Sequence, residues 1–403
     1  MATGQTGATR AFPEGFTWGT ATAAHQIEGG NTNNDWWAFE HLPGSGCAES
    51  SGDACDSWNR WEEDADLVAS MGLDNYRFSV EWSRIEPAEG EISTAALEHY
   101  RAQCAGLRAR GIDPVVTFHH FTTPRWLVAQ GGWESELAVE RFATYCGVVA
   151  DALGSEMSRA CTINEPNIVA TMGWLAGMFP PGKSNKRLSR AVADNLVKGH
   201  RAAVEVIRAH APGVPVGLTL SMTDYQLLEG GEKRLESIRH HSEDVFLDAV
   251  GGDDFLGVQV YSRMRIGPKG WAGAEPGVPV LDMGYEFYPA SLANCLRRAW
   301  DYIGGALPLL VTENGIGTTD DAQRIDYVHQ ALGGVLDAIA EGVDVGGYTY
   351  WSLLDNFEWA LGYVPRFGLV TVDRTTFART AKPSAAWLSS VAAANALPAR
   401  PQS

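Results

Sequence analysis

The sequence is poor in positive charge. Its 403 residues include 31 Lys and Arg against 49 Asp and Glu, which gives a net charge of −18. A chain this acidic repels the phosphates of nucleic acids and the headgroups of anionic membranes. We therefore expect no nucleic-acid partner and no membrane partner, and instead a neutral or cationic small-molecule ligand.

Cysteine is also scarce, and its spacing excludes several kinds of site. None of the six cysteines belongs to a Cys-x-x-Cys pair, which argues against a zinc ribbon and against a thioredoxin-like redox centre. Most of them lie in apolar segments, where cysteine behaves as a small core residue. Cys47 and Cys55 share one loop and are the pair that oxidation would join.

Long hydrophobic runs are missing as well. No stretch of about 18 uncharged apolar residues is present, so the sequence offers no candidate for a membrane-spanning helix. The first ten residues, MATGQTGATR, have neither the apolar core nor the cleavage pattern of a secretory signal. We therefore expect a cytoplasmic protein.

Several catalytic motifs are absent or out of place. There is no Gly-x-Ser-x-Gly, which weakens a serine hydrolase of the α/β-hydrolase type, and no His-Glu-x-x-His. Residues 177–184 match the letters of a P-loop, but Pro180 and Pro181 remove two of the N–H donors that a phosphate cradle needs. We expect neither a metal nor an organic cofactor.

The chain does have a repeated alternation of strand-like and helix-like segments. Apolar strand-like runs cover 16–27, 75–82, 114–120, 159–165, 215–222, 255–262, 309–314 and 346–353. Amphipathic patterns cover 58–71, 95–110, 139–153, 191–210, 290–302, 323–341 and 384–394. Eight such units predict a single (β/α)8 TIM barrel over 12–396, with tails at 1–11 and 397–403. A doubly wound sheet is the alternative, but the first strand lacks its glycine-rich turn.

Polar side chains stand at the ends of most of the predicted strands. In a (β/α)8 barrel the active site lies at the C-terminal ends of the strands. Buried polar groups are costly unless they are satisfied, so this arrangement indicates a binding or catalytic site. The residues are Gln26, Arg77, His120, Asn164, Glu165, Tyr261, Glu313, Trp351, Glu358 and Trp359.

Two glutamates stand out, because Glu165 and Glu313 each close an apolar strand. Two carboxyls that face each other across a barrel mouth do not both ionise easily, so the pKa of one of them rises. Such an acid–base pair is the chemistry of glycoside hydrolysis. The pattern alone does not assign the two roles.

Several motifs together resemble glycoside hydrolase family 1, the retaining β-glycosidases. They include Tyr-Arg-Phe-Ser at 76–79, Thr-Ile-Asn-Glu-Pro at 162–166, Thr-Glu-Asn-Gly at 312–315 and Asn-Phe-Glu-Trp at 356–359. The matches run in family order from residue 16 to about residue 387 and cover nearly the whole chain. The resemblance implies a retaining exo-β-glycosidase with Glu313 as the nucleophile and Glu165 as the general acid/base.

The resemblance also implies the roles of the surrounding side chains. Arg77 and Tyr261 would flank Glu313 and keep it ionised, and Asn164 would bind the sugar 2-hydroxyl. The outer hydroxyls would be bound by Gln26, His120, Glu358 and Trp359, with Trp351 as the stacking floor and Phe367 as the far wall.

The chain departs from the family pattern in three ways. Phe121 replaces the usual Trp after the paired histidines and removes an indole N–H donor. Gln259 replaces the usual Asn two residues before Tyr261, and Val260 precedes that tyrosine. The third departure is that the chain is shorter than many members, which implies trimmed loops at the barrel mouth. Glu358-Trp359 favours an unphosphorylated sugar. A transglycosidase, a 6-phospho-β-glycosidase, an inactive sugar-binding barrel and a homo-oligomer all remain open.

Overall fold

The computed structural model describes residues 9–400, and its centre is a closed barrel of eight parallel strands. Each strand pairs with the next in the chain, and the last pairs with the first. This confirms the predicted barrel and excludes the doubly wound sheet. The strands are β1 (Thr17–Ala21), β2 (Asn75–Ser79), β3 (Asp113–His119), β4 (Arg159–Asn164), β5 (Val216–Ser221), β6 (Phe255–Gln259), β7 (Leu309–Asn314) and β8 (Val345–Trp351).

Helices surround the barrel and cover it with their apolar faces. In the longest helix, Lys186–His210, the buried residues Val192, Leu196, Ala203 and Ile207 are four, seven and four residues apart, so they lie on one helix face. The main helices are α1 (Ser57–Ser70), α2 (Thr94–Ala109), α3 (Leu137–Leu153), α4 (Lys186–His210), α5 (Glu232–Arg239), α6 (Ser291–Tyr302), α7 (Asp321–Ala340) and α8 (Pro383–Ala394).

The first predicted strand was too long. β1 ends at Ala21, and a helical turn over Ala24–Ile27 follows. Thr22 still donates its N–H to the Arg77 carbonyl of the neighbouring strand at 2.8 Å, and the chain then leaves the sheet where Ala24 donates its N–H to Ser79 Oγ at 2.7 Å. Gln26 therefore lies on a helical turn above the barrel, and not on a strand.

An excursion outside the barrel was not predicted from the sequence. Asp224–Leu227, Arg263–Gly267 and Gly270–Trp271 form a three-stranded outer sheet, and α5 continues through a π-helical turn, His240–Asp244, into Val245–Leu247. Further short elements are Asp35–Glu40, Trp82–Ile85, Arg125–Val128, Gly132–Glu134, Pro166–Thr171, Met172–Ala176, Trp359–Leu361, Val370–Val372 and Arg379–Ala381.

The two ends of the described chain meet. Arg10–Ala11 pairs antiparallel with Ala396–Leu397, so residues 10, 11 and 397, which the sequence interpretation placed in the tails, belong to a small sheet. The predicted tail residues 1–8 and 401–403 lie outside the described residues. Between residues 9 and 400, no helix is long and apolar enough to cross a membrane.

Cys47 and Cys55 are both free thiols in the structure. Cys55 is buried, and its Sγ donates to the Asp355 carbonyl at 3.4 Å. Cys104, Cys146, Cys161 and Cys295 are also buried, as expected for small core residues.

Candidate active site

A cavity of about 330 Å³ lies among the C-terminal ends of the barrel strands. Arg77 lies outside the lining and is fully buried. Every other site residue predicted from the sequence lines the cavity: Gln26, His120, Phe121, Asn164, Glu165, Tyr261, Glu313, Trp351, Glu358, Trp359 and Phe367.

Glu313, on β7, is held by a donor on each of its oxygens. Arg77 Nη1 donates to Oε1 and the Tyr261 hydroxyl donates to Oε2, both at 2.6 Å. Burial and the adjacent Glu313 carboxylate raise the pKa of Tyr261 well above its ordinary value, so the phenol stays protonated. Donors of this kind stabilise a carboxylate in its charged form. The structure thus places Arg77 and Tyr261 beside Glu313, as the resemblance implied.

Glu165 follows β4 and is in a different environment. Its φ of 45° lies in the left-handed region, and it precedes Pro166, which begins the helix Pro166–Thr171. Burial, together with the neighbouring Glu313 carboxylate, raises the pKa of Glu165 to about 8. This carboxyl therefore holds its proton at neutral pH, whereas Glu313 is provided with donors for its charged form.

Asn164 connects the two carboxyls to the rest of the site. The same Arg77 guanidinium that binds Glu313 donates through Nη2 to Asn164 Oδ1 at 2.6 Å. The Asn164 amide nitrogen donates to His120 Nε2 at 3.2 Å. Because Nε2 accepts this bond, Nδ1 carries the proton of the neutral imidazole. Burial, with the Arg77 charge, lowers the pKa of His120 well below its ordinary value, which keeps the ring neutral.

Several polar atoms at the cavity have no partner among the described residues. Gln26 Nε2 donates to the Phe357 carbonyl at 2.8 Å, but its Oε1 is unpaired, and so is His120 Nδ1. Glu358 Oε1 accepts from Trp351 Nε1 at 3.4 Å, and burial raises the pKa of Glu358 well above its ordinary value. Buried polar atoms are normally satisfied, so these unpaired atoms are suited to binding ligand hydroxyls.

Aromatic rings form the walls. The His120 ring lies nearly parallel to Trp351 and Trp359, with interplanar angles of 19° and 14°. Phe121 packs at ring-centroid distances of 5.0 Å from Trp359 and 5.5 Å from Phe179. Its neighbour His119 points away into the core, where it accepts from Trp133 Nε1 at 3.3 Å, so only one of the paired histidines reaches the cavity, as the strand period predicts.

Sequence reasoning missed the apolar part of the lining. Except for Ser221, which ends β5, these residues lie on short helices and loops, and except for Ser221 and Tyr285 their side chains carry no polar group. The one available signal in the sequence was that Met172 and Phe179 follow soon after the Asn-Glu-Pro motif, which would have suggested that these two residues lie near the site. They are Ile168, Met172, Met178, Phe179, Met283, Tyr285, Ala360 and Leu361, together with the polar Ser221.

The described residues contain no group of three or more His, Cys, Asp or Glu side chains arranged to hold a metal ion. The absence of a metal and of other cofactors stays a prediction.

Comparison with known proteins identifies the family. The family model described as "Glycosyl hydrolase family 1" matches residues 8–256 and 261–397. The chain belongs to this family. The membership confirms the resemblance, the glycoside hydrolase class and the retaining β-glycosidase function, and it does not favour the transglycosidase or the 6-phospho-β-glycosidase.

Named relatives and solved structures of the family span nearly the whole chain. A beta-glucosidase of Agrobacterium sp. is 34% identical and covers 94% of this chain and 95% of its own length. Beta-glucosidase A of Thermotoga maritima is 32% identical, covering 96% and 98%. Among structures, beta-glycosidase BGL167 is 44% identical with a TM-score of 0.90, covering 97% and 99%. A beta-glycosidase from Pyrococcus horikoshii is 34% identical, also with a TM-score of 0.90, covering 97% and 96%.

Proposed function

We propose that this family 1 enzyme hydrolyses unphosphorylated β-glucosides with Glu313 as nucleophile and Glu165 as acid/base. Glu313 attacks the anomeric carbon while the bond to the leaving oxygen breaks and Glu165 gives that oxygen its proton. Water then attacks the anomeric carbon and gives a proton to Glu165, the bond between that carbon and Glu313 breaks, and the sugar leaves with retained configuration.

The observation that carries this proposal is the unequal environment of the two carboxyls. Glu313 receives two donors at 2.6 Å, one from a guanidinium, which suits an ionised nucleophile. Glu165 has a pKa raised to about 8 by burial and by the charge of Glu313, which suits a general acid at neutral pH. An acid with a raised pKa beside a carboxylate that is held by two donors is the pattern of acid–nucleophile catalysis.

The lining supports a neutral sugar in the inner cavity. We assign the 2-hydroxyl to Asn164, the outer hydroxyls to Gln26, His120, Glu358 and Trp359, the stacking floor to Trp351 and the far wall to Phe367. The buried pair Glu358-Trp359 stands where the family resemblance places phosphate-binding groups in members specific for 6-phosphosugars, which favours an unphosphorylated sugar. The beta-glucosidase names of the relatives make glucose the first sugar to test. A cytoplasmic location and a homo-oligomeric state stay predictions.

The first test removes the nucleophile. Glu313→Gly should lose turnover of aryl β-glucosides, yet transfer the sugar of α-glucosyl fluoride to an acceptor with a β-bond, because the fluoride replaces the glycosyl-enzyme. Added azide should give an α-azide product. A β-azide from this variant would mean that the two roles are exchanged.

The second test removes the acid/base. Glu165→Ala should keep the first step for dinitrophenyl β-glucoside, whose leaving group needs no proton, and lose it for phenyl β-glucoside. Azide should accelerate turnover and give a β-azide. Equal losses on both substrates would contradict the assignment of Glu165.

A further inference from the structure

Gln259 contacts both Glu165 and Asn164. It ends β6 and is completely buried. Its Nε2 donates to Glu165 Oε1 at 3.3 Å and to Asn164 Oδ1 at 3.2 Å. This position is where the family pattern has Asn, and residues 257–260 are also the stretch between the two segments that match the family. The chain therefore has a longer amide side chain at this position than the family pattern.

The neighbours of Gln259 fix the orientation of its amide. Asn164 Oδ1 already accepts from Arg77 Nη2, so it is the oxygen end of that amide that faces Gln259. Rotating the Gln259 amide would place its Oε1 against this oxygen and bring two acceptors together. Nε2 must therefore face Asn164, and the contact with Glu165 Oε1 is made by the same nitrogen.

An N–H on Glu165 Oε1 affects the position of the acid proton. A neutral carboxyl has one protonated oxygen and one acceptor oxygen, and an oxygen that faces a donor is the acceptor. Because Gln259 occupies Oε1, the proton resides on Oε2. When Glu165 ionises, the same N–H stabilises its carboxylate.

The second bond of Gln259 acts on Asn164. With Oδ1 held by Arg77 and Gln259, the Asn164 NH2 group is directed towards His120 and the cavity. In the proposed function this amide donates to the sugar 2-hydroxyl, a contact that strengthens in the transition state of glycosidases. One buried amide thus holds both the acid and the 2-hydroxyl donor.

We propose that Gln259 is a positioning residue that fixes which oxygen of Glu165 carries the proton and which way the Asn164 amide points. This inference rests on the proposed roles of Glu165 and Asn164. The unpaired Gln259 Oε1 supports this role. It is a buried acceptor without a partner, which destabilises the fold, and an apolar residue would avoid that cost if the position required only packing.

The test compares Gln259→Met, which keeps the length but removes the donor, with the wild type on two leaving groups. We measure kcat/KM, which reports the first chemical step, for phenyl and for 2,4-dinitrophenyl β-glucoside across pH. The phenyl substrate should lose roughly tenfold more than the dinitrophenyl substrate, as expected for a lost bond to a group that becomes charged. The basic limb of the pH profile should move up by about one unit, because the carboxylate has lost a donor.

The orientation of the Asn164 amide is tested by a second measurement on the same variant. The preference for the phenyl glucoside over its 2-deoxy analogue should fall several-fold, because the Asn164 amide is no longer held. Gln330→Met on α7 is the matched control, since among the described residues Gln330 bonds Asp326 alone and lies outside the cavity lining, and it should change none of these quantities. If Gln259→Met does not fold, Gln259→Asn serves, because it shortens the side chain by one methylene, should lengthen the contacts to Glu165 Oε1 and Asn164 Oδ1, and should move at least one readout.

The outcomes separate the inference from the function on which it rests. If Glu165→Gln shows the leaving-group dependence but the Gln259 variants lose both substrates equally and keep the basic limb and the 2-deoxy ratio, Gln259 is a packing residue and the inference is wrong. If Glu165→Gln itself shows no leaving-group dependence, the proposed function fails. Selective loss in Gln259→Met with an upward basic limb supports the inference.

Discussion

Individual side chains decide the chemistry here, because Glu165 and Glu313 are the same residue type in opposite environments. Most of this contrast depends on partners from other strands. Arg77 on β2 and Tyr261 after β6 both reach Glu313 on β7. The sequence predicted that these side chains share one site because each stands near a strand end. It could not predict the contacts of Gln259, because they depend on the length of a side chain that crosses between strands.

The pH dependence of activity should follow from this contrast. We expect a bell-shaped profile of kcat/KM with its basic limb near pH 8, since the pKa of Glu165 is raised to about 8 and the acid must be protonated. Glu165→Gln assayed with dinitrophenyl β-glucoside should lose this limb. A basic limb that persists in the variant would assign it to another group, such as Tyr261.

Phe121 should affect the recognition of one sugar hydroxyl. Phe has no N–H, so the hydroxyl that an indole would bind must use Gln26, His120 or water. We expect Phe121→Trp to increase the preference for glucoside over 3-deoxyglucoside about threefold to tenfold, the worth of one hydrogen bond of about 0.5–1.5 kcal/mol. A kcat/KM ratio within twofold of wild type, in a folded protein, would show that Phe121 only packs between Trp359 and Phe179.

Among the structural elements, the barrel strands were predictable and the segments that complete the cavity were not. All eight strands were recognised because they are short, apolar runs between helical patterns. The loop after β6 contributes Met283 and Tyr285, and the turn before α4 contributes Met178. Loops have no hydrophobic period, so their direction over the barrel depends on tertiary contacts such as the Arg263–Glu286 ion pair at 2.6 Å.

These loops give the mouth of the cavity an apolar collar, defined here as Ile168, Met178, Phe179, Met283 and Leu361. Met178 and Leu361 are 49% and 38% exposed, which suits contact with an apolar leaving group. We expect Met178→Gln to lower kcat/KM for octyl β-glucoside about threefold to tenfold more than for methyl β-glucoside, from about 1 kcal/mol of lost apolar contact.

The matched control for the collar is Leu227→Gln. Leu227 is 48% exposed, nearly the same as Met178, but it lies on the outer sheet and outside the cavity lining. It should leave the octyl-to-methyl ratio unchanged. An unchanged ratio in Met178→Gln as well would mean that the collar does not bind the leaving group.

Over the whole molecule, buried acids should make stability fall as the pH rises. Removal from water raises the pKa of Asp35 and of Glu243 to about 7, and that of Glu165 to about 8. Burial lowers the pKa values of His99, His119 and His120, so these three side chains oppose the trend below about pH 6.5. Between about pH 6.5 and pH 8 the buried acids dominate, the folded state binds more protons than the unfolded state, and the free energy of unfolding decreases with rising pH. Acids with lowered pKa, such as Asp373, act in the opposite direction only below about pH 4.5.

Urea unfolding at pH 5, 6, 7 and 8 checks this expectation. The free energy of unfolding should decrease from about pH 6.5 to pH 8. Glu165→Gln removes one of the groups responsible, so it should stabilise the protein at pH 8 more than at pH 5. A wild-type stability that rises from about pH 6.5 to pH 8 would contradict the assignment of these three carboxyls.

The most direct test of the account is to trap the covalent intermediate. A 2-deoxy-2-fluoro-β-glucoside with a dinitrophenyl leaving group forms the glycosyl-enzyme but hydrolyses slowly, because the fluorine destabilises the positively charged transition state. Peptide mass spectrometry of the inactivated protein should find the fluorosugar on Glu313, and Glu313→Gln should remain unlabelled. A label on Glu165, or full inactivation without any covalent sugar, would contradict the assignment of nucleophile and acid/base.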